Sequence, residues 1–195
     1  MLPPRVPYAH GVLAVVPVKG GDGAKTRLAS VLPPEERTRL VLGMLERVLD
    51  ACAEARSVTG TLLVTPDPSL APDAIDILRD GGAGHPEAVA AALRDARARA
   101  GAVVVMADCP LVRPESLDAL AEAARPLALA PARDGGVNAL ALREVNGWVP
   151  RFGVPVGEMV AAARAAGIEA AVVDDPHLAL DVDRPEDYEA MLACR

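Results

Sequence analysis

Three aspartates (Asp108, Asp181 and Asp183) and three cations (Lys19, Lys25 and Arg27) are the residues whose types and spacing point to chemistry. Carboxylates offer the hard oxygens that Mg²⁺ takes, with substrate phosphates and water completing its shell. The cations flank a glycine-rich loop, Val18-Lys19-Gly20-Gly21-Asp22-Gly23-Ala24-Lys25-Thr26-Arg27. Glycines there let backbone N–H groups approach an anion closely, and the cations add charge, so the pattern reads as a triphosphate cradle. It is not a P-loop, because Ala24 stands in the last glycine position before Lys25-Thr26, and G-x-G-x-x-G is absent too. A basic solvated turn explains the loop equally well. Helix-capping carboxylates are the plain alternative for Asp108 and Asp183.

These residues need elements to position them. The apolar run Val12-Leu13-Ala14-Val15-Val16, broken by Pro17, reads as a buried strand of a parallel sheet, with the loop at its carboxyl end where open α/β sheets bind ligands. Pro33-Pro34-Glu35-Glu36 starts a helix whose apolar positions, Leu40 to Cys52, recur at spacings of three and four. Further strands are expected at 61–64, 74–78, 103–107, 127–130, 139–143, 170–173 and 178–182. Helices are expected at 86–100, 115–124, 157–166 and 185–192. Strands alternating with helices predict a three-layer α/β/α sandwich around a mainly parallel sheet. Asp108 then follows the buried run Val103 to Ala107, and Asp181 and Asp183 follow Leu178-Ala179-Leu180. Asp187 reads as a first-turn helix charge.

Composition sets the outer limits. The 195 residues fit one domain, 1–195, with 1–10 as a loose leader carrying three prolines. Apolar residues make up 51% and aromatics 2%, so alanine, valine and leucine must build the core. A net charge of -7 argues against a nucleic-acid surface, which needs a basic stripe. Cys52, Cys109 and Cys194 show no metal or disulfide spacing. No signal segment or membrane span is read, and a cytoplasmic protein is expected.

Five stretches resemble, in the same order, the 2-phospho-L-lactate guanylyltransferase family of coenzyme F-420 biosynthesis, which includes the phosphoenolpyruvate guanylyltransferases. They are PVKGGDGAKTRL, ADCPLV, ARDGGVNALAL, the isolated Phe152-Gly153, and LALDVDRPED. The resemblance implies the nucleotide-diphospho-sugar transferase type of fold and an enzyme that joins GTP to a phosphorylated three-carbon acid with release of pyrophosphate. It implies GTP on the loop, with Lys19 and Lys25 as catalytic cations on its phosphates beside Val18, Gly20, Gly21 and Arg27, and with Gly84 near the base. Asp108 and Asp181 would hold Mg²⁺, with Asp183 a further candidate ligand. The acid would lie against Gly136, Val137, Asn138, Gly153 and Val156. A homodimer is left open, and His10, His85 and His177 are not needed as bases.

The chain departs from the family pattern at three places. Val137 stands where threonine is usual, Val154-Pro155-Val156 replaces a glycine- and serine-bearing run, and Gly84-His85-Pro86 replaces Gly-Leu-Asn. At Val156 a hydroxyl partner for the acid's carboxylate is missing. A nucleotidyltransferase with another base or acceptor, of the molybdenum-cofactor type, and a non-catalytic nucleotide-binding homologue are the alternatives.

Overall fold

The computed structural model describes residues 11–19, 25–72, 75–79, 85–95, 100–143 and 147–194. The expected leader, Gly20, Gly21 and Gly84 lie outside them. Seven strands form one sheet: β1 (Val12–Pro17), β2 (Val58–Val64), β3 (Asp76–Leu78), β4 (Gly101–Val105), β5 (Leu127–Pro131), β6 (Val137–Arg143) and β7 (Ala170–Val172). Their order is β3-β2-β1-β4-β6-β5-β7, and β6 alone runs against its neighbours.

Among the described residues there are five α-helices, α1 (Pro34–Glu54), α2 (His85–Arg94), α3 (Pro114–Ala123), α4 (Val156–Ala165) and α5 (Pro185–Ala193), the first four packed on the sheet. All six residues of β1 are buried. Successive side chains on a strand point to opposite faces, so Ala14 and Val16 join a cluster with α1 and α3 while Leu13 and Val15 join one with α2 and α4. This two-sided burial is why the run reads as continuous rather than alternating. The predicted three-layer sandwich is the observed one. Smaller satellite packing brings Leu28, Leu32, Met44, Leu180, Val182 and Met191 together beside α5.

The helix α1 begins where its prolines predict, with Pro34 at the first position and Glu35 and Glu36 in the first turn. Elsewhere Asp118 of α3 accepts hydrogen bonds from the Ser57 N–H at 2.7 Å and from Arg56 Nε at 3.0 Å, tying that helix to the entry of β2.

Three expectations are corrected. The segment 178–182 is not a strand: Leu178 and Ala179 donate N–H groups to Asp175 O, Ala179 O accepts from Arg133 N–H, and Val182 N–H donates to Asp108 O. Turn and loop partners thus satisfy a backbone that alternates buried Leu178, Leu180 and Val182 with more exposed residues, which imitates strand patterning. The helix expected over 86–100 ends at Arg94, and β4 begins already at Gly101, two residues before the predicted Val103.

Candidate active site

The chain goes from β1 outward to β2 and β3, then returns to the other side of β1 as β4. That reversal opens a crevice at the carboxyl ends of β1 and β4. Because β6 is antiparallel to β4, its first residues arrive at the same edge, and Met106 N–H donates to Asn138 O at 2.9 Å. The crevice encloses about 630 Å³ and is lined by Val18, Lys19, Lys25, Arg27, Asp108, Asp134, Gly136, Val137, Asn138, Phe152, Gly153, Asp181 and Asp183, among others. Among the described residues, every nucleotide, metal and acid candidate except Val156 therefore lines one cavity.

Lys25 holds its centre. Its backbone is left-handed, φ 53° and ψ 43°, an uncommon state for a residue with a side chain and one that clusters at functional sites. Its ammonium donates to Asp108 Oδ2 at 2.5 Å and to Asp183 Oδ1 at 2.7 Å, and Arg27 Nη1 lies 3.4 Å from Asp183 Oδ2. Burial alone would lower the Lys25 pKa, but the charges and hydrogen bonds of Asp108 and Asp183 outweigh it and leave the pKa above the ordinary lysine value. For Asp183, burial favours the neutral acid, yet Lys25, Arg27 and Arg184 bring its pKa below the usual carboxylate value.

Asp181 goes the other way. Burial raises its pKa, the Asn138 hydrogen bond opposes this, and the negative charges of Asp108 and Asp134 raise it further. A carboxylate in that position gains from a nearby cation. Counting the cavity's formal charges, Lys19, Lys25 and Arg27 face Asp108, Asp134, Asp181 and Asp183, a balance of 3 against 4. Among the described residues, no group of three or more His, Cys, Asp and Glu side chains is gathered as a metal cage.

The side of the cavity that the resemblance assigns to the acid is formed by the turn between β5 and β6. Asp134 Oδ1 accepts the Gly136 N–H at 2.9 Å, so that N–H is already engaged. Gly153 lines the cavity with φ +82° and open space around it. Val156 is not among the cavity's lining residues: it opens α4, its N–H donates to Gly135 O at 2.9 Å, and its side chain packs against the core under α2 and α4. Asp134 begins the turn, Asp134 to Asn138, that the resemblance sets against the acid, and it lines the cavity. In Arg133-Asp134-Gly135-Gly136 an aspartate bonding the N–H two residues on is ordinary turn chemistry.

The cysteines take no part. Burial pushes the Cys52 thiol up to about 12, and burial beside Asp108 and Asp181 pushes Cys109 well above the ordinary value. Both stay protonated and inert.

The fold is of the nucleotide-diphospho-sugar transferase type. A Desulfovibrio desulfuricans protein described as such a transferase superposes with a TM-score of 0.77, covering 93% of this chain and 86% of that one at 20% identity. The chain belongs to the family described as "Guanylyl transferase CofC like", which it matches over residues 12–194. A phosphoenolpyruvate guanylyltransferase of Sphaerobacter thermophilus is 39% identical, over 92% of this chain and 91% of its own. A 3-phospho-D-glycerate guanylyltransferase of Phenylobacterium zucineum is 37% identical, over 89% and 86%. A 2-phospho-L-lactate guanylyltransferase of Haloarcula marismortui is 35% identical, over 91% and 83%. Among the described residues no helix is long and apolar enough to cross a membrane.

Proposed function

We propose that the protein transfers the guanylyl group of GTP to the phosphate of a phosphorylated three-carbon acid, releasing pyrophosphate, as a step of coenzyme F-420 biosynthesis. The observation that carries this reading is the single crevice joining the cations after β1, the carboxylates after β4 and β7, and the turn that opens β6. Family membership narrows the base to guanine. Phosphoenolpyruvate, 3-phospho-D-glycerate and 2-phospho-L-lactate are the candidate acceptors.

No protein nucleophile is required. A phosphate oxygen of the acid attacks the α-phosphorus in line, the bond to the bridging oxygen breaks, and pyrophosphate leaves with that electron pair. The site's work is to hold two polyanions together and offset the charge that develops. Lys25 suits this task, since an ammonium has three hydrogens and only two are engaged by Asp108 and Asp183. Among the described residues its third hydrogen has no partner, which leaves a donor for a phosphate, with Lys19 and Arg27 adding charge.

Cations alone do not suffice, because three positive charges face four carboxylates before any phosphate arrives. Asp108 and Asp181 are the residues we assign to Mg²⁺, with Asp183 as a further candidate ligand. Two hard carboxylates, with the remaining positions left to phosphates and water, suit that ion. When bound, Mg²⁺ neutralises phosphate charge and polarises the reacting phosphoryl group.

The test is incubation with GTP, Mg²⁺ and each of the three acids, following pyrophosphate release and, by phosphorus NMR, a new diphosphate linkage. One acid should support turnover with GTP and far less with CTP or ATP. Pyrophosphate release with none of the acids, or equal use of all nucleotides, overturns the proposal.

A further inference from the structure

Asn138 is the second residue of β6, is 4% exposed and lines the crevice. The resemblance places it against the acid. Its side chain, however, is already engaged: Nδ2 donates to Leu178 O at 2.9 Å and to Asp181 Oδ1 at 3.1 Å. An amide nitrogen has two hydrogens, so both are engaged by the protein. The orientation is not arbitrary, because both partners are acceptors and the carbonyl end of the amide could satisfy neither.

What Asn138 holds needs holding. Asp181 lies in the irregular segment after β7, whose backbone is pinned on either side by Arg133 N–H to Ala179 O and by Val182 N–H to Asp108 O. Those bonds fix the chain; the carboxylate itself is held by the residue's own backbone N–H and by the Asn138 amide. Asp108 and Asp134 are both close enough to repel it. The Asn138 amide is the side-chain donor that keeps it in the crevice. Among the described residues, Asn138 is the one other residue whose hydrogen bond to the Asp181 carboxylate is seen, and it takes Oδ1.

We infer that Asn138 is a positioning residue for the metal-binding carboxylate of Asp181, and that it does not contact the acid substrate through its amide N–H groups. One rigid strand residue thereby sets both the path of the segment, through Leu178 O, and the direction of its carboxylate. A partner that orients a ligating carboxylate in this way changes metal affinity by roughly ten- to a hundredfold when it is removed. The inference rests on the proposed assignment of Asp181 to a divalent ion.

The experiment uses the full chain with a non-hydrolysable GTP analogue and measures free Mn²⁺ by electron paramagnetic resonance. Asn138→Leu, which keeps the approximate volume and removes both donors, should weaken Mn²⁺ binding about tenfold or more. Asn138→Ser, with one hydroxyl donor, should recover part of that loss. In an Asp181→Ala background, Asn138→Leu should weaken binding no further. At saturating metal, the KM for the acid should stay within about twofold of the unsubstituted protein for both single variants.

Unchanged Mn²⁺ affinity in both single variants, with a KM for the acid raised tenfold, overturns the inference and returns Asn138 to the acid. If Asn138→Leu does not fold, Asn138→Ser decides on the same two readouts. Absence of Mn²⁺ binding by the unsubstituted protein overturns the metal assignment and this inference with it. A Mn²⁺ shift in a protein that shows no guanylyl transfer upholds the inference while the proposed reaction falls.

Discussion

Lys25 Nζ lies 2.5 Å from Asp108 Oδ2 across 83 residues of sequence, and the same ammonium reaches Asp183, 158 residues away. One cation therefore joins the loop after β1, the turn after β4 and the segment before α5. Lys25→Ala removes that link together with the donor left over for phosphate. Losing a hydrogen bond to a charged group costs about 1.5–3 kcal/mol, or roughly ten- to a hundredfold. Steady-state kinetics should show kcat/KM for GTP lowered by about that factor; an unchanged value would mean the ammonium serves only its two carboxylates.

Asp108→Asn keeps the shape of the side chain and removes its charge. With Asp108 as the proposed Mg²⁺ ligand, transfer should fall by about a thousandfold or more, while the melting temperature changes by only a few degrees. Near-native turnover by this variant would take Asp108 out of the site.

Asp118 gives the fold a pH dependence of known sign. Burial raises its pKa, but the Ser57 N–H and the Arg56 guanidinium outweigh this and leave it below the ordinary carboxylate value. A depressed folded-state pKa stabilises above the unfolded value, about 3.9, and the contribution is lost as pH falls through the lower folded value. Asp118→Asn should therefore cost about 1–3 kcal/mol in urea melts at pH 7. The gap should narrow in acid below pH 4, and a gap that widens there would reverse the assignment.

Two glycines separate conformational cost from collision. A Cβ on Gly153, at φ +82°, meets nothing within 4 Å, so Gly153→Ala should fold with a loss of about 1–2 kcal/mol and raise the KM for the acid several-fold, leaving that for GTP alone. A Cβ on Gly101, at φ +137°, would stand 2.8 Å from the Leu142 carbonyl oxygen, so Gly101→Ala should fail to give soluble folded protein. Equal expression and melting of the two variants would contradict the geometry.

Thiol titration gives a simple count. Cys52 and Cys109 are buried and Cys194 is exposed. An aromatic disulfide reagent should label one thiol per native chain and three in denaturant.

Much of this architecture is written locally. The run Val12 to Val16 and the spacing of Met44, Leu45, Val48, Leu49 and Cys52 determine their own elements, because burial on two faces or on one leaves a direct mark on residue type. Asp108 was placed from its position after a buried run, and the structure brings it into the crevice with Lys19, Lys25, Arg27, Asp181 and Asp183. Pairing direction was not legible at β6, since an antiparallel strand buried on both faces carries the same apolar residues as a parallel one. The segment 178–182 imitated a strand because alternation records which side chains are buried and not where the backbone bonds go. The partners of Asn138 lie 40 and 43 residues away, and an amide at a strand start is equally suited to substrate or protein. Val156 was placed by the family pattern alone, and its half-buried side chain packs against the core under α2 and α4, outside the cavity lining.

The single reversed strand has a further consequence. Since β5 and β6 form a hairpin whose bend faces the crevice, the wall carrying Asp134, Gly136 and Val137 is a closed excursion of the chain that leaves and re-enters the sheet between neighbouring strands. The bend does not stand alone: Gly135 O accepts the Val156 N–H that opens α4, and Arg133 N–H holds Ala179 O two residues before Asp181. A change in its length is therefore passed on to the start of α4 and to the carboxylate segment together, so that one excursion of the chain keeps three separate stretches of sequence in step.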